Sequence, residues 1–255
     1  MGEVLKDKIA IVTGAGRGLG KAFALKYAEE GAKLLLPDIS LERAERTAEE
    51  IRGKGGQAVA METDIRDEQA TAAVTAKVRD LYGGVDILLN NAALSYGIEP
   101  RPWTDWSVEL WDTFFDINVR GTWLMCRAVA PLLVERARGK IINIASDVPR
   151  VPASETLLPY ACSKTAVHQI TQVLARALGP AGICVNSIAP GLTATEANLI
   201  QPDHERLFAA TIALQCIKRR EEPEDLVGTA VFLASEAADM VTGQLLIVDG
   251  GAAFG

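Results

Sequence analysis

The chain has 255 residues, of which 49% are hydrophobic and 23% charged, and a formal net charge of −7. This composition suits a globular protein with a full core, and the negative balance argues against a nucleic-acid backbone as a partner. Four widely spaced cysteines (Cys126, Cys162, Cys184, Cys216) form no Cys-x-x-Cys pair, and His168 and His204 stand in no ligand spacing, so no metal site is expected and a reducing compartment is. The first residues are too polar for a signal peptide, and no apolar run reaches the roughly eighteen residues of a membrane span. The expectation is a cytoplasmic protein without membrane contact.

Short apolar runs alternate with amphipathic stretches from one end to the other. In chain order, the pattern predicts strand 8–13, helix 18–30, strand 32–37, helix 41–53, strand 57–61, helix 67–82 and strand 86–90. Helix 107–137, strand 140–145, helix 156–179, strand 183–189, helix 223–235 and strand 244–248 complete the series. Strands as apolar as Ile9-Ala10-Ile11-Val12 are covered on both faces, which means a parallel sheet between helical layers. The expectation is an α/β fold, a single doubly wound Rossmann-type domain over 1–255 with a seven-stranded parallel sheet. The rhythm breaks once, after Pro190-Gly191-Leu192-Thr193. A stretch of roughly thirty residues there predicts a substrate lid over 192–220, with a surface helical hairpin for assembly as the other reading.

Thr13-Gly14-Ala15-Gly16-Arg17-Gly18-Leu19-Gly20 comes directly after the first strand and opens a helix. Glycines there let the backbone turn sharply and approach a pyrophosphate, which rests on the helix N-terminus. Asp38 ends the second strand, where a carboxylate accepts hydrogen bonds from an adenosine ribose; its alternative role is to anchor the helix at 41–53. Arg17 favours a 2′-phosphate, but Asp38 opposes one more strongly, so NAD is expected and NADP is the lesser choice.

Tyr160-Ala161-Cys162-Ser163-Lys164 places a phenol and an ammonium on one helical face. A nearby ammonium lowers a phenol's pKa toward the range of a useful base. Asn143-Ile144-Ala145-Ser146 ends the fifth strand and Asn90-Asn91-Ala92-Ala93 the fourth. Asn118 lies within the long helix after the fourth strand, and Gly243-Gln244 through Val248-Asp249-Gly250-Gly251 closes the chain. Together these motifs resemble the short-chain dehydrogenase/reductase family over nearly the whole length.

The resemblance implies interconversion of an alcohol and a carbonyl, with Tyr160 taking the alcohol proton while hydride leaves for a nicotinamide. It implies that Lys164 binds the nicotinamide ribose and tunes Tyr160, that Ser146 orients the substrate oxygen, and that Asn118 holds a water beside Lys164. For the cofactor it points to Gly14, Arg17, Gly18, Leu19 and Gly20 at the phosphates and Asp38 and Ile39 at the adenosine ribose. Asp64 and Ile65 fall at the adenine, Asn91 and Ala92 beyond the fourth strand, and Thr193 at the carboxamide. It implies a homotetramer built through the helices at 107–137 and 156–179. One departure is Ala93, where the family has glycine.

Leu94, Val148, Leu157, Leu158 and Leu192 suggest an apolar surface for a small-molecule alcohol or ketone, with Asp147 and Arg150 as polar exceptions. Trp103, Trp106 and Trp111 either wall this pocket or pack the helix start, and Arg101 or Arg150 would suit an acidic substrate. Cys162 and His168 read as packing residues. Two other readings are an NADPH-dependent 3-oxoacyl-thioester reductase and a nucleotide-binding protein without catalysis.

Overall fold

Strands β1 (Ile9–Val12), β4 (Ile87–Asn90), β5 (Gly139–Ile144) and β6 (Ile183–Pro190) are buried at every position, as a sheet covered on both faces requires. In the computed structural model, which describes residues 3–95 and 98–254, they join β2 (Lys33–Asp38), β3 (Gln57–Glu62) and β7 (Leu245–Val248) in one sheet. All pairings are parallel and the order is β3-β2-β1-β4-β5-β6-β7. The winding reverses between β1 and β4, so a crevice opens beyond their C-terminal ends, where ligands of such sheets sit.

The strands alternate their side chains between two apolar layers. Leu34, Leu36 and Ile142 meet Phe23 and Tyr27 of α1 (Gly18–Glu29) and Leu226 and Leu233 of α9 (Glu224–Ala234). Leu35, Leu88 and Ile141 face the other way, onto Val74 and Val78 of α3 (Glu68–Tyr82) and Met125, Val129 and Leu133 of α5 (Thr122–Glu135). Helix α2 (Leu41–Gly53) starts where the Ser40 hydroxyl accepts from Arg43 N, and α3 starts on the Asp67 carboxylate in the same way.

One expectation changes. The stretch 107–137 is not one regular helix: α4 (Val108–Phe114) runs into a π-helical turn, Phe115–Gly121, before α5 resumes. The wider turn admits an extra residue and rotates α5 relative to α4, a device common at functional sites. The stretch 192–220 contains two helices, α7 (Glu196–Leu199) and α8 (His204–Leu214). Its two ends are closed on each other by a bridge between Thr193 and Glu221. Helix α6 (Leu158–Leu178) runs beside β6 and carries the Tyr160–Lys164 pair.

Tyr27 is fully buried, and its hydroxyl donates to Ala230 O at 3.0 Å, tying α1 to α9. Tyr27→Phe should lower the unfolding free energy by about 1 kcal/mol, measured by urea denaturation. Unchanged stability would show that this bond contributes nothing net.

Candidate active site

The glycine loop is braced from β4. The Thr13 hydroxyl accepts from Asn91 N and Ala92 N, both at 3.0 Å, and the Asn91 amide donates to Thr13 O and Gly14 O at 3.1 Å. Gly14 has φ 65°, and a Cβ on Gly20 would lie 2.0 Å from Gly14 O, so neither position admits a side chain. Leu19 packs on the core. Arg17 is exposed at the extended residue preceding α1. Ala93 has no positive φ, so alanine is accommodated there without backbone strain.

At the start of α1, Gly18 N donates to the Glu196 carboxylate of α7 at 3.1 Å. The Thr195 side chain lies 3.5 Å from the position a Gly18 Cβ would take. The helix N-terminus thus already takes an anion, supplied by the chain itself as a stand-in for a phosphate. Asp38 is buried at the end of β2, with Gly16 N on Oδ2 and Ser40 N on Oδ1, each at 2.9 Å. It therefore does fix the start of α2, while Ile39 beside it is exposed. This combination of close-packed glycines, an anion-binding helix end and a carboxylate at β2 fits a nicotinamide dinucleotide. The expected adenine contacts fit less well. The Asp64 carboxylate is gripped by Arg66 at 2.6 Å and held below its ordinary pKa range by that partner. The Ile65 side chain turns into the core against Gly121, so its apolar surface is used in packing.

On the other side of the crevice, Lys164 is buried and its Nζ donates to Ile144 O at 2.7 Å. Burial lowers this ammonium to about 8, so it still carries its charge at neutral pH. Tyr160 is half-buried with Phe114 edge-on at 6.2 Å. Its phenol is pushed up to about 12, chiefly by burial. The nearby Ser146 hydroxyl acts against this rise and the Asp147 charge adds to it. Lys164 Nζ sits 5.8 Å from the ring centre.

Asn118 lies in the π-helical turn, buried. Its Oδ1 accepts from Leu94 N at 2.7 Å, and its Nδ2 donates to Leu94 O at 3.3 Å and Ser163 Oγ at 3.0 Å. Ser163 in turn donates to Tyr160 O at 2.8 Å. The Asn118 amide thus joins the loop after β4 to α6.

Thr193 is buried at the neck of the stretch 192–220. Its hydroxyl donates to Glu221 Oε1 at 2.5 Å, and Ala194 N donates to Glu221 O at 2.8 Å. Thr195, not singled out from the sequence, is the threonine that faces the glycine loop. Glu221, Asp147 and Asp249 form a buried carboxyl cluster, with Glu221 Oε2 and Asp249 Cβ each 3.0 Å from the position a Gly191 Cβ would take. Burial chiefly pushes Asp147 and Glu221 up to about 7, and the Asp249 charge adds to both rises. No spacing in the sequence signals this cluster, because its members come from three separate loops.

Trp106 packs on Phe114 at 5.9 Å and carries the Arg101 guanidinium at 4.8 Å, while Trp111 stacks on Phe115 at 5.1 Å. Two of the three tryptophans therefore pack around α4, and Trp103 is exposed. Leu94, Val148, Leu157, Leu158 and Leu192 are half-buried, and Arg150 is exposed. Cys162 is a free thiol. His168 Nδ1 pairs with Ser187 Oγ at 3.1 Å, the packing role expected of it.

Residues 14–253 match the family model described as enoyl-(acyl carrier protein) reductase. The chain is 38% identical to galactitol 2-dehydrogenase of Agrobacterium fabrum, covering 97% of this chain and 98% of that protein. It is 34% identical to a subunit of (2S)-[(R)-hydroxy(phenyl)methyl]succinyl-CoA dehydrogenase of Thauera aromatica, covering 97% of each. A solved structure from Beutenbergia cavernae, assigned as an NAD(P)-dependent gluconate 5-dehydrogenase with bound NADP, superposes with a TM-score of 0.89 at 35% identity. It covers 99% of both chains.

The Glu196 contact predicts a competition. Glu196→Gln should bind ADP-ribose about two- to fivefold more tightly than wild type, the scale of one charge at a helix end, as read by calorimetry. Unchanged or weaker binding would show that the carboxylate does not compete for Gly18 N.

Proposed function

The chain belongs to the short-chain dehydrogenase/reductase family and is an oxidoreductase that interconverts an alcohol and a carbonyl; we propose that it does so with NAD(H), using Tyr160 as general acid/base. The observation that carries this reading is the placement of Tyr160 and buried Lys164 one turn apart on α6, with Lys164 Nζ fastened to Ile144 O at 2.7 Å, two residues before the buried Ser146. When bound, the nicotinamide accepts or delivers the hydride. Ser146 orients the reacting oxygen, and the Tyr160 hydroxyl gives or takes its proton. Lys164 holds the nicotinamide ribose, with its charge retained up to about pH 8. Asn118 acts through the frame it holds rather than by touching the reacting atoms.

Gly14, Arg17, Gly18, Leu19 and Gly20 hold the dinucleotide phosphates, Asp38 and Ile39 the adenosine ribose, and Asn91 and Ala92 the stretch beyond β4. Thr193 meets the nicotinamide carboxamide, and Thr195 faces the glycine loop that holds the phosphates. The stretch 192–220 is the lid, closed at its neck by Thr193 and Glu221 and resting on the glycine loop through Glu196. The substrate is a small alcohol or ketone met by Val148, Leu157 and Leu192. A thioester substrate keeps support from the succinyl-CoA relative, and a substrate panel separates the two. The assembly is a homotetramer, supported by an apolar strip on α5 and α6 formed by exposed Trp123 and Val173 with half-buried Ile170. Among the described residues no helix is long and apolar enough to cross a membrane, and the four free thiols suit a cytoplasmic location.

Tyr160→Phe keeps the ring packing and removes the proton carrier. Turnover should fall by roughly a hundred- to ten-thousandfold with dinucleotide affinity nearly intact. A variant retaining more than about a tenth of wild-type turnover, with chemistry rate-limiting, would overturn the assignment. In a panel of polyols, aromatic ketones and acyl thioesters, kcat/KM with NAD(H) should exceed that with NADP(H) by more than about tenfold, because Asp38 accepts from ribose hydroxyls and repels a phosphate. Equal efficiencies would remove that role from Asp38. Light scattering should report a tetramer, and Val173→Arg should shift it to smaller species. A monomeric wild type would refute the assembly.

A further inference from the structure

The Ser146 hydroxyl has one hydrogen and two acceptor positions. Val148 N donates to Ser146 Oγ at 3.2 Å, which fills one of those positions, and Asp147 Oδ1 lies 3.5 Å from the same oxygen. An ionised Asp147 can only accept, so it draws the Ser146 hydrogen to itself. A protonated Asp147 can donate, and then fills the second acceptor position instead. The reacting oxygen gains negative charge as a carbonyl is reduced, and it needs that hydrogen.

The surroundings of Asp147 suit the protonated form. The residue is buried and its backbone is fixed, with Asp147 N donating to Pro190 O at 3.1 Å and Arg150 N to Asp147 O at 2.7 Å. Two more buried carboxyls act on it, Glu221 from the segment ahead of α9 and Asp249 from the turn after β7. Asp249 accepts from Gly251 N, Ala252 N and Ala253 N at 2.8, 3.2 and 2.7 Å, a donor set suited to an anion. Glu221 Oε1 accepts from Thr193, but its Oε2 is buried without a hydrogen-bond partner, which is costly for an ionised group. The nearby cations are engaged elsewhere. Arg219 pairs with Asp225, which acts on Glu221 from outside; Lys164 faces Ile144 O, and Arg150 acts on His168. From α6, Tyr160 is the titratable group that feels the Asp147 charge.

We propose that Asp147 is a positioning residue for the reaction: with a proton on its carboxyl it donates to Ser146 Oγ and leaves the Ser146 hydrogen for the reacting oxygen, and when ionised it takes that hydrogen away. The proposal rests on the reading of Ser146 as the residue that orients the reacting oxygen. Carbonyl reduction is therefore favoured while Asp147 is neutral and declines as pH rises through its ionisation.

Reduction by NADH of the fastest carbonyl compound in the panel, followed from about pH 6 to about pH 8, tests this. Asp147→Asn cannot ionise, and any titration of Tyr160 common to both proteins cancels in their ratio. The ratio of variant to wild-type kcat/KM should rise about fivefold or more over that range, since Asp147 is held at about 7. In a Ser146→Ala background the same substitution should leave the ratio constant within about twofold. A ratio constant in both backgrounds would make Asp147 merely structural, and one that rises equally in both would show that its charge acts on Tyr160 directly; each overturns the proposal. Infrared difference spectra of wild type against Asp147→Asn need no substrate. They should show a protonated carboxyl at about pH 6 that is lost by about pH 8, and its absence at the lower pH overturns the proposal while leaving the role of Ser146 intact. Full turnover by Ser146→Ala would overturn both.

Discussion

One amide, that of Asn118, holds the two halves of the crevice in a single frame. Its oxygen and both of its hydrogens are used within the protein, on both backbone groups of Leu94 and on Ser163. Ser163 continues the chain of bonds to the Tyr160 backbone. A buried polar network satisfied at every member is rigid, because each group would be left unpaired if another moved. The π-helical turn makes this reach possible by changing the phase of the helix at the one place where a side chain must meet both β4's loop and α6. Lys164 completes the frame by fastening α6 to the end of β5 through Ile144 O.

Within that frame, burial acts on acids and bases in opposite directions. It lowers the Lys164 ammonium and raises the Asp147 and Glu221 carboxyls, since each group is driven toward its neutral form. The result is a site whose proton content changes near neutrality, with Asp147 close enough to influence Tyr160. Stability is linked to the same protons. The folded chain keeps carboxyl protons that the unfolded chain releases above the ordinary carboxylate range. Stability from these two groups therefore declines as pH rises from about 4 toward 7.

The parts of the fold written in periodic patterns were legible in the sequence. Helix 41–53 and the start of the sixth strand were placed to the residue, and the seven-stranded parallel sheet could be read from uninterrupted apolar runs. The π-helical turn was not legible, because residues such as Phe115 and Ile117 keep a helical apolar pattern while the hydrogen bonding changes. The two helices within 192–220 match the helical-hairpin alternative in their secondary structure, but their bounds were not legible because α7 is only four residues long. Site residues fixed by local backbone chemistry, such as Gly14, Gly20 and the Tyr160–Lys164 pair, were readable. Residues whose roles depend on distant partners were not. Nothing in the sequence shows that the Thr193 hydroxyl is committed to Glu221 or that Thr195 and Glu196 reach Gly18.

The Glu196 contact also bears on how binding responds to its ionic surroundings. A carboxylate tethered to the same chain acts at an effective concentration on the order of millimolar, so the N-terminus of α1 carries a resident counter-charge. Arrival of an anionic ligand is then an exchange of one negative group for another. Little net charge is gained there, few small ions are redistributed, and the strength of association becomes less sensitive to salt than the ligand's own charge would suggest.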